Sequence, residues 1–168
     1  MKIRRIFAIP CFAPAAMVLL MSVYTAAQEP KRGSEKYLCS EPNPESICTA
    51  ENTCGSASTP CTVDIKRTAS SASVTPSIDN AKANMSFCVK VGTKVAWRST
   101  SKNTGFVLDF GPNSPFGQEA IIGGSDRPTS TVVKTKGCYN YSTGACVSGA
   151  IYGMCATVET KLITTGGN

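Results

Sequence analysis

The stretch Gly137-Cys-Tyr-Asn-Tyr-Ser-Thr-Gly-Ala-Cys146, followed by Gly153-Met-Cys-Ala-Thr-Val158, decides how the chain is read. Tyr139 and Tyr141 alternate with Cys138 and Asn140, so both rings face one side of a strand. The pattern predicts a strand, a loop from Ser142 to Tyr152, and a second strand over Cys155-Ala-Thr-Val-Glu-Thr-Lys-Leu-Ile163.

Upstream, short alternating segments repeat the same signal. Thr62–Lys66 is a strand with Val63 and Ile65 inward, and Thr68–Thr75 is a weak edge strand or a linker. Met85–Val91 places Phe87, Val89 and Val91 on one face. Gly92-Thr93 is a tight turn, though not one of the strongest hairpin dipeptides, and Lys94–Arg98 places Val95 and Trp97 together. Thr104–Phe110 offers Phe106, Leu108 and Phe110 to a core. Gly111–Gly117 is a loop, Ile121-Ile122 precedes a turn at Gly123–Asp126, and Pro128–Lys134 alternates through Thr129, Thr131 and Val133. Several short strands with turn signals between them and no convincing helix predict an all-β antiparallel sandwich.

The N-terminus has a different character. Lys2, Arg4 and Arg5 precede an apolar run that ends in Tyr24-Thr-Ala-Ala27, which reads as a signal peptide over residues 1–27 cleaved before Gln28. Pro10 and Pro14 interrupt the run, which argues against a permanent anchor. No later stretch is long and apolar enough to span a bilayer. Removing the three basic residues lowers the net charge from +6 to about +3. The remaining basic residues are scattered, so the footprint of a nucleic-acid binder is missing. The expected address is outside the cytoplasm, periplasmic or extracellular.

Residues 28–60 are rich in Pro, Ser, Asn and Glu and lack periodicity, so a disulfide-tied loop segment is expected there, with the sandwich over 61–168. Cleavage leaves Cys39, Cys48, Cys54, Cys61, Cys88, Cys138, Cys146 and Cys155, an even set suited to disulfides in an oxidising compartment. Spacing divides them into Cys39–Cys61 and Cys88–Cys155. The expectation is that pairing respects this division.

With these elements in place, the chain resembles the cupredoxins. Cys88-Val-Lys-Val-Gly-Thr-Lys-Val-Ala-Trp97 is similar to their strand, Val-Gly turn, and strand ending in Trp. Thr104–Phe110 resembles the next strand, which in that family carries the first copper histidine. Gly137-x-Tyr-x-Tyr141 resembles the family's Gly-x-Tyr-x-Tyr-x-Cys run into the ligand loop. Gly153-Met154 with Ala156-Thr-Val158 resembles the loop's end and the last strand. The resemblance covers about residues 86–160 and implies a Greek-key β-sandwich of the plastocyanin/azurin type.

The copper ligands do not carry over. A blue-copper site takes two imidazoles, a thiolate and a weak axial thioether. The chain contains no histidine. The family's first histidine falls near Gly105 or Phe106, its cysteine at about Thr143 and its second histidine at about Ile151; only Met154 matches, at the axial place. The resemblance therefore implies a cupredoxin-like module that has lost its copper ligands, with no cofactor.

The absence of histidine also removes Ser-His-Asp, Cys-His and His-containing zinc arrangements, and no Cys-x-x-Cys pair is present. What remains is a non-enzymatic binding or structural role toward a protein or cell-surface ligand, with Tyr139, Tyr141 and Tyr152 as a candidate binding surface and a core position as the competing reading of Tyr139 and Tyr141. The alternatives are a copper-handling site built from Met154, Cys146 and Cys155, and a hydrolase using Asp109 and Glu119. Asn84-Met-Ser86 and Asn140-Tyr-Ser142 match the glycosylation acceptor pattern.

Overall fold

The computed structural model describes residues 34–37, 39–147 and 155–167. Residues 1–27, Tyr152, Met154 and Ile151 lie outside them, as does Cys11. Among the described residues, nine strands form two sheets: β1 Cys61–Arg67, β2 Ala72–Pro76, β3 Phe87–Lys90, β4 Lys94–Ser99, β5 Thr104–Asp109, β6 Ala120–Gly124, β7 Thr129–Val132, β8 Gly137–Val147 and β9 Cys155–Thr165. One sheet has the order β2-β1-β4-β7 and the other β3-β9-β8-β5-β6. The pairings β1–β4 and β3–β9 are parallel; the others are antiparallel. The chain is an all-β Greek-key sandwich.

Alternation builds both inner faces. Val63, Ile65, Val74, Val95 and Trp97 project from the four-stranded sheet and Phe87, Val89, Phe106, Leu108, Tyr141 and Leu162 from the five-stranded one, all buried. Trp97 is the hub. Its ring meets Phe110, Phe116 and Tyr141 edge-on at 6.1, 5.8 and 6.2 Å between centroids. Its Nε1 donates to Thr131 Oγ1 at 3.0 Å, which satisfies the one polar atom the indole brings into the core.

The turn at Gly92-Thr93 does not close a hairpin. β3 and β4 belong to different sheets, so the turn carries the chain across the sandwich. Gly92 has φ 89°, a conformation glycine adopts without a Cβ penalty, and its N–H donates to the Val133 carbonyl at 2.9 Å. Ile121-Ile122 and Gly123-Gly124 form β6, an edge strand, where the sequence predicts only a turn at the glycines. Thr68–Thr75 resolves as an edge strand at its C-terminal end, β2.

Residues 39–60 contain two short 3-10 turns, Pro44–Ile47 and Ala50–Asn52, and a third, Ser34–Tyr37, precedes them. The end of this segment extends the five-stranded sheet: Thr53 bridges Cys88, and Cys54 N–H donates to the Cys88 carbonyl at 2.8 Å. The free edge of β3 is thereby covered.

Candidate functional site

The two tyrosines of β8 are core residues. Tyr141 is 1% exposed and stacks on Phe110, with ring centroids 4.4 Å apart and planes at 18°. Its hydroxyl has no hydrogen-bond partner. Burial pushes its pKa above the ordinary value. Tyr139 is 8% exposed; its hydroxyl donates to the Lys136 carbonyl at 3.2 Å and shares a hydrogen bond with Thr135 Oγ1 at 3.1 Å. Neither ring forms an exposed aromatic patch, because the odd-numbered residues of β8 face the opposite sheet. Tyr152, the third candidate, lies outside the described residues.

The stretch expected to loop from Ser142 stays in the sheet to Val147. Each residue from Ser142 to Cys146 has a partner on β9, from Glu159 to Cys155. Thr143, at the position the resemblance gives to the copper thiolate, is a fully buried strand residue whose Oγ1 has no partner. Gly105 and Phe106 lie in β5 beside Cys146 and Ala145. Phe106 is 2% exposed and belongs to the core.

All eight cysteines of the described residues are bridged: Cys39–Cys138, Cys48–Cys88, Cys54–Cys61 and Cys146–Cys155. The division into two sets fails at the first two pairs. Both link the N-terminal segment to the five-stranded sheet, a proximity created by the fold and absent from the spacing. No sulfur among them is left as a thiolate, and no three His, Cys, Asp or Glu side chains of the described residues gather around a common point. With no histidine in the sequence, a type 1 copper ion does not fit this donor set.

The outer face of the five-stranded sheet has two halves. One is covered by the N-terminal segment. There Tyr37, 6% exposed, donates its hydroxyl to Asp109 Oδ2 at 2.7 Å, and its ring lies over Gly111. Lys161 pairs with Glu41 at 2.9 Å, and Lys36 with Glu159 at 3.6 Å. The other half is open. Val107 of β5 lies between Ile122 of β6 and Gly144 of β8, and the Cys146–Cys155 bridge closes the end of the ladder. Ile122 is 69% exposed. An open cleft of about 360 Å³ runs here, lined by Val107, Asp109, Glu119, Gly144, Cys155 and Thr157 among others.

Asp109 and Glu119 thus share one cleft, but they differ in use. The second oxygen of Asp109 accepts the Gly111 N–H at 3.1 Å, so both its oxygens are engaged in holding structure. Glu119 is exposed, and its carbonyl accepts the Phe110 N–H at 2.8 Å. The Tyr37–Asp109–Gly111 clasp had no counterpart in the sequence reading. Its partners are separated by more than seventy positions in the chain, and no periodicity points to them. Of the two glycosylation acceptors, Asn84 is exposed and holds the β2 edge, accepting from Val74 N–H through Oδ1 at 2.8 Å, whereas Asn140 is half-buried within β8. No helix of the described residues is long and apolar enough to cross a membrane.

No protein-family model matches the chain, and no curated protein matches it. Among solved structures, an oxidised methionine-to-lysine mutant of amicyanin matches with a TM-score of 0.34 and 16% identity, over 69% of this chain and 95% of that one. A methionine-to-alanine mutant of amicyanin with Cu(I) matches with a TM-score of 0.35 and 17% identity, over the same shares of the two chains.

Proposed function

We propose that the chain is a secreted, disulfide-stapled, cupredoxin-like module without a type 1 copper site, acting as a non-enzymatic binding or structural domain toward a protein or cell-surface ligand. The observation that carries this reading is the donor chemistry at the end of the sandwich. Thr143 stands in an unbroken ladder where the resemblance expects a thiolate, and the neighbouring sulfurs, Cys146 and Cys155, are bonded to each other. Four disulfides suit an oxidising compartment and support secretion. The open half of the outer face, with Val107 and the exposed Ile122, supports a binding role.

Two measurements on the secreted chain test this. Thiol titration of the unfolded, unreduced protein should return no free thiol, and addition of Cu(II) to the folded protein should produce no intense blue absorption. A blue product, or one or more thiols per chain, would refute the copper-free reading.

A further inference from the structure

We propose that Cys146–Cys155 is a thiol–disulfide exchange site whose reactant is a small neutral or cationic thiol, attacking at Cys155. Three observations separate this bridge from the others. The first is access. Cys54, Cys61 and Cys88 are fully buried, and Cys39, Cys48 and Cys138 are half-buried, whereas Cys155 is exposed. Exposed disulfides are the exchangeable ones.

The second is redundancy. Cys146 and Cys155 are direct register partners with Cα atoms 4.0 Å apart, and the ladder that joins their strands runs on to Gly137↔Thr164. Backbone hydrogen bonds keep the two strands together when this bond opens. Cys39–Cys138 and Cys48–Cys88 instead hold the N-terminal segment onto the sandwich, across 99 and 40 positions of sequence.

The third is approach. The 360 Å³ cleft reaches Cys155, and Cys146 is not among its walls. Gly144 makes this opening. A Cβ there would stand 3.1 Å from Val107 Cγ1 and 3.9 Å from Cys155 Cβ, so any larger residue would fill the approach. Among the described residues, the charged side chains lining the cleft are Asp109 and Glu119, and no basic one lines it. A thiol carrying its own carboxylates is repelled there, and a cationic one is drawn in.

The chemistry balances without a further reagent. A thiolate forms a bond to Cys155 Sγ, and the Cys146–Cys155 bond breaks. Its electron pair leaves with Cys146 Sγ, which takes a proton from solvent. A second thiolate attacks the mixed disulfide at the reagent's sulfur, and Cys155 leaves as thiolate. The small thiol ends as its disulfide and the chain as a dithiol.

The test uses the folded, oxidised chain with cysteamine or glutathione, each matched in thiolate concentration, quenched with acid and mapped by peptide mass spectrometry. The first adduct is expected on Cys155, with the other three bridges intact. Cysteamine should react several-fold faster than glutathione, and the gap should shrink with added salt or in Glu119→Gln. A first adduct on Cys146 or on any other cysteine, or the opening of all four bridges together, would overturn the proposal. So would equal rates for the two thiols. A Cys146→Ser/Cys155→Ser chain that keeps its folded near-ultraviolet signal but still forms the rapid adduct would overturn it as well.

Discussion

The Cys39–Cys138 bridge should contribute more to stability than Cys146–Cys155, and the difference can be worked from the chain. The two bridges close loops with sequence separations of 99 and 9 residues. On the chain-entropy account, removing loops of about these lengths from the unfolded state stabilises by about 4.7 and about 2.7 kcal/mol. The gap of about 2 kcal/mol corresponds to roughly a thirtyfold difference in folding equilibrium constant. This comparison is favourable because both bridges have at least one cysteine on a strand of the five-stranded sheet and none of the four cysteines is fully buried. Cys54–Cys61, by contrast, lies within the core, so its removal mixes loop entropy with the burial of two polar groups. The experiment compares urea unfolding of Cys39→Ser/Cys138→Ser and Cys146→Ser/Cys155→Ser, read by the fluorescence of Trp97, the single tryptophan and fully buried. Without Cys39–Cys138 the segment before Cys48 is still held by Tyr37–Asp109 and Lys161–Glu41, so the native signal at low urea should persist. Equal free energies of unfolding for the two variants, or a larger loss for the Cys146/Cys155 pair, would refute the loop-length argument.

Tyr141→Phe should leave stability unchanged or raise it slightly, since its buried hydroxyl has no partner, whereas Tyr139→Phe should cost about 1 kcal/mol through its bonds to Thr135 and Lys136; parallel urea titrations decide this. The same Tyr141 fixes an alkaline response. Its folded pKa is raised above the ordinary 10.0, so its contribution is intact below pH 10 and is lost above it, as the unfolded chain ionises first, by up to about 1.4 kcal/mol per pH unit. Tyr141→Phe should flatten that part of the stability–pH curve, and an unchanged slope would sink the claim. Gly111→Ala should destabilise by about 2 kcal/mol, because φ is 65° and the new Cβ would stand 2.5 Å from Tyr37 Cδ2. The steric part should vanish when Tyr37→Ala is combined with it, giving clear non-additivity in a double-mutant cycle.

Most of the sandwich was legible because its strands alternate. Val63 with Ile65, Val95 with Trp97, and Phe106, Leu108 and Phe110 are inward as the period of two predicts. β6 was missed for a physical reason. Ile121-Ile122-Gly123-Gly124 has no alternation, since only Ile121 enters the core, Ile122 faces solvent and the glycines make room for neighbours. The turn at Gly92-Thr93 looked local, yet its two strands enter different sheets; a turn dipeptide fixes a reversal and carries no information about the strand's next partner. Disulfide partners were illegible for the same reason. Cys39 meets Cys138 because the N-terminal segment lies across the outer face, and the contacts that place it there, Tyr37 on Asp109 and Glu41 on Lys161, are single residues in an aperiodic stretch.

The cysteines near the end of β8 invite the idea that a copper thiolate has merely shifted along the chain, and the pleat excludes it. Tyr141, Thr143 and Ala145 point into the sandwich, while Ser142, Gly144 and Cys146 point out. Cys146 stands three positions after Thr143, an odd number, so its sulfur lies on the opposite face of the sheet. A sulfur there cannot replace one at Thr143 by any small adjustment, since a slip of one residue would turn the rings of Tyr139 and Tyr141 out of the core as well. The same parity assigns the two faces different work. The inner face holds the stacked Phe110–Tyr141 pair and the Trp97 hub, which need close packing. The outer face carries Gly144, Val107 and the Cys146–Cys155 bridge, where small residues leave sulfur open to solvent. Among the described residues, the bridge with an exposed cysteine, Cys146–Cys155, therefore lies on the side of the sheet that faces solvent.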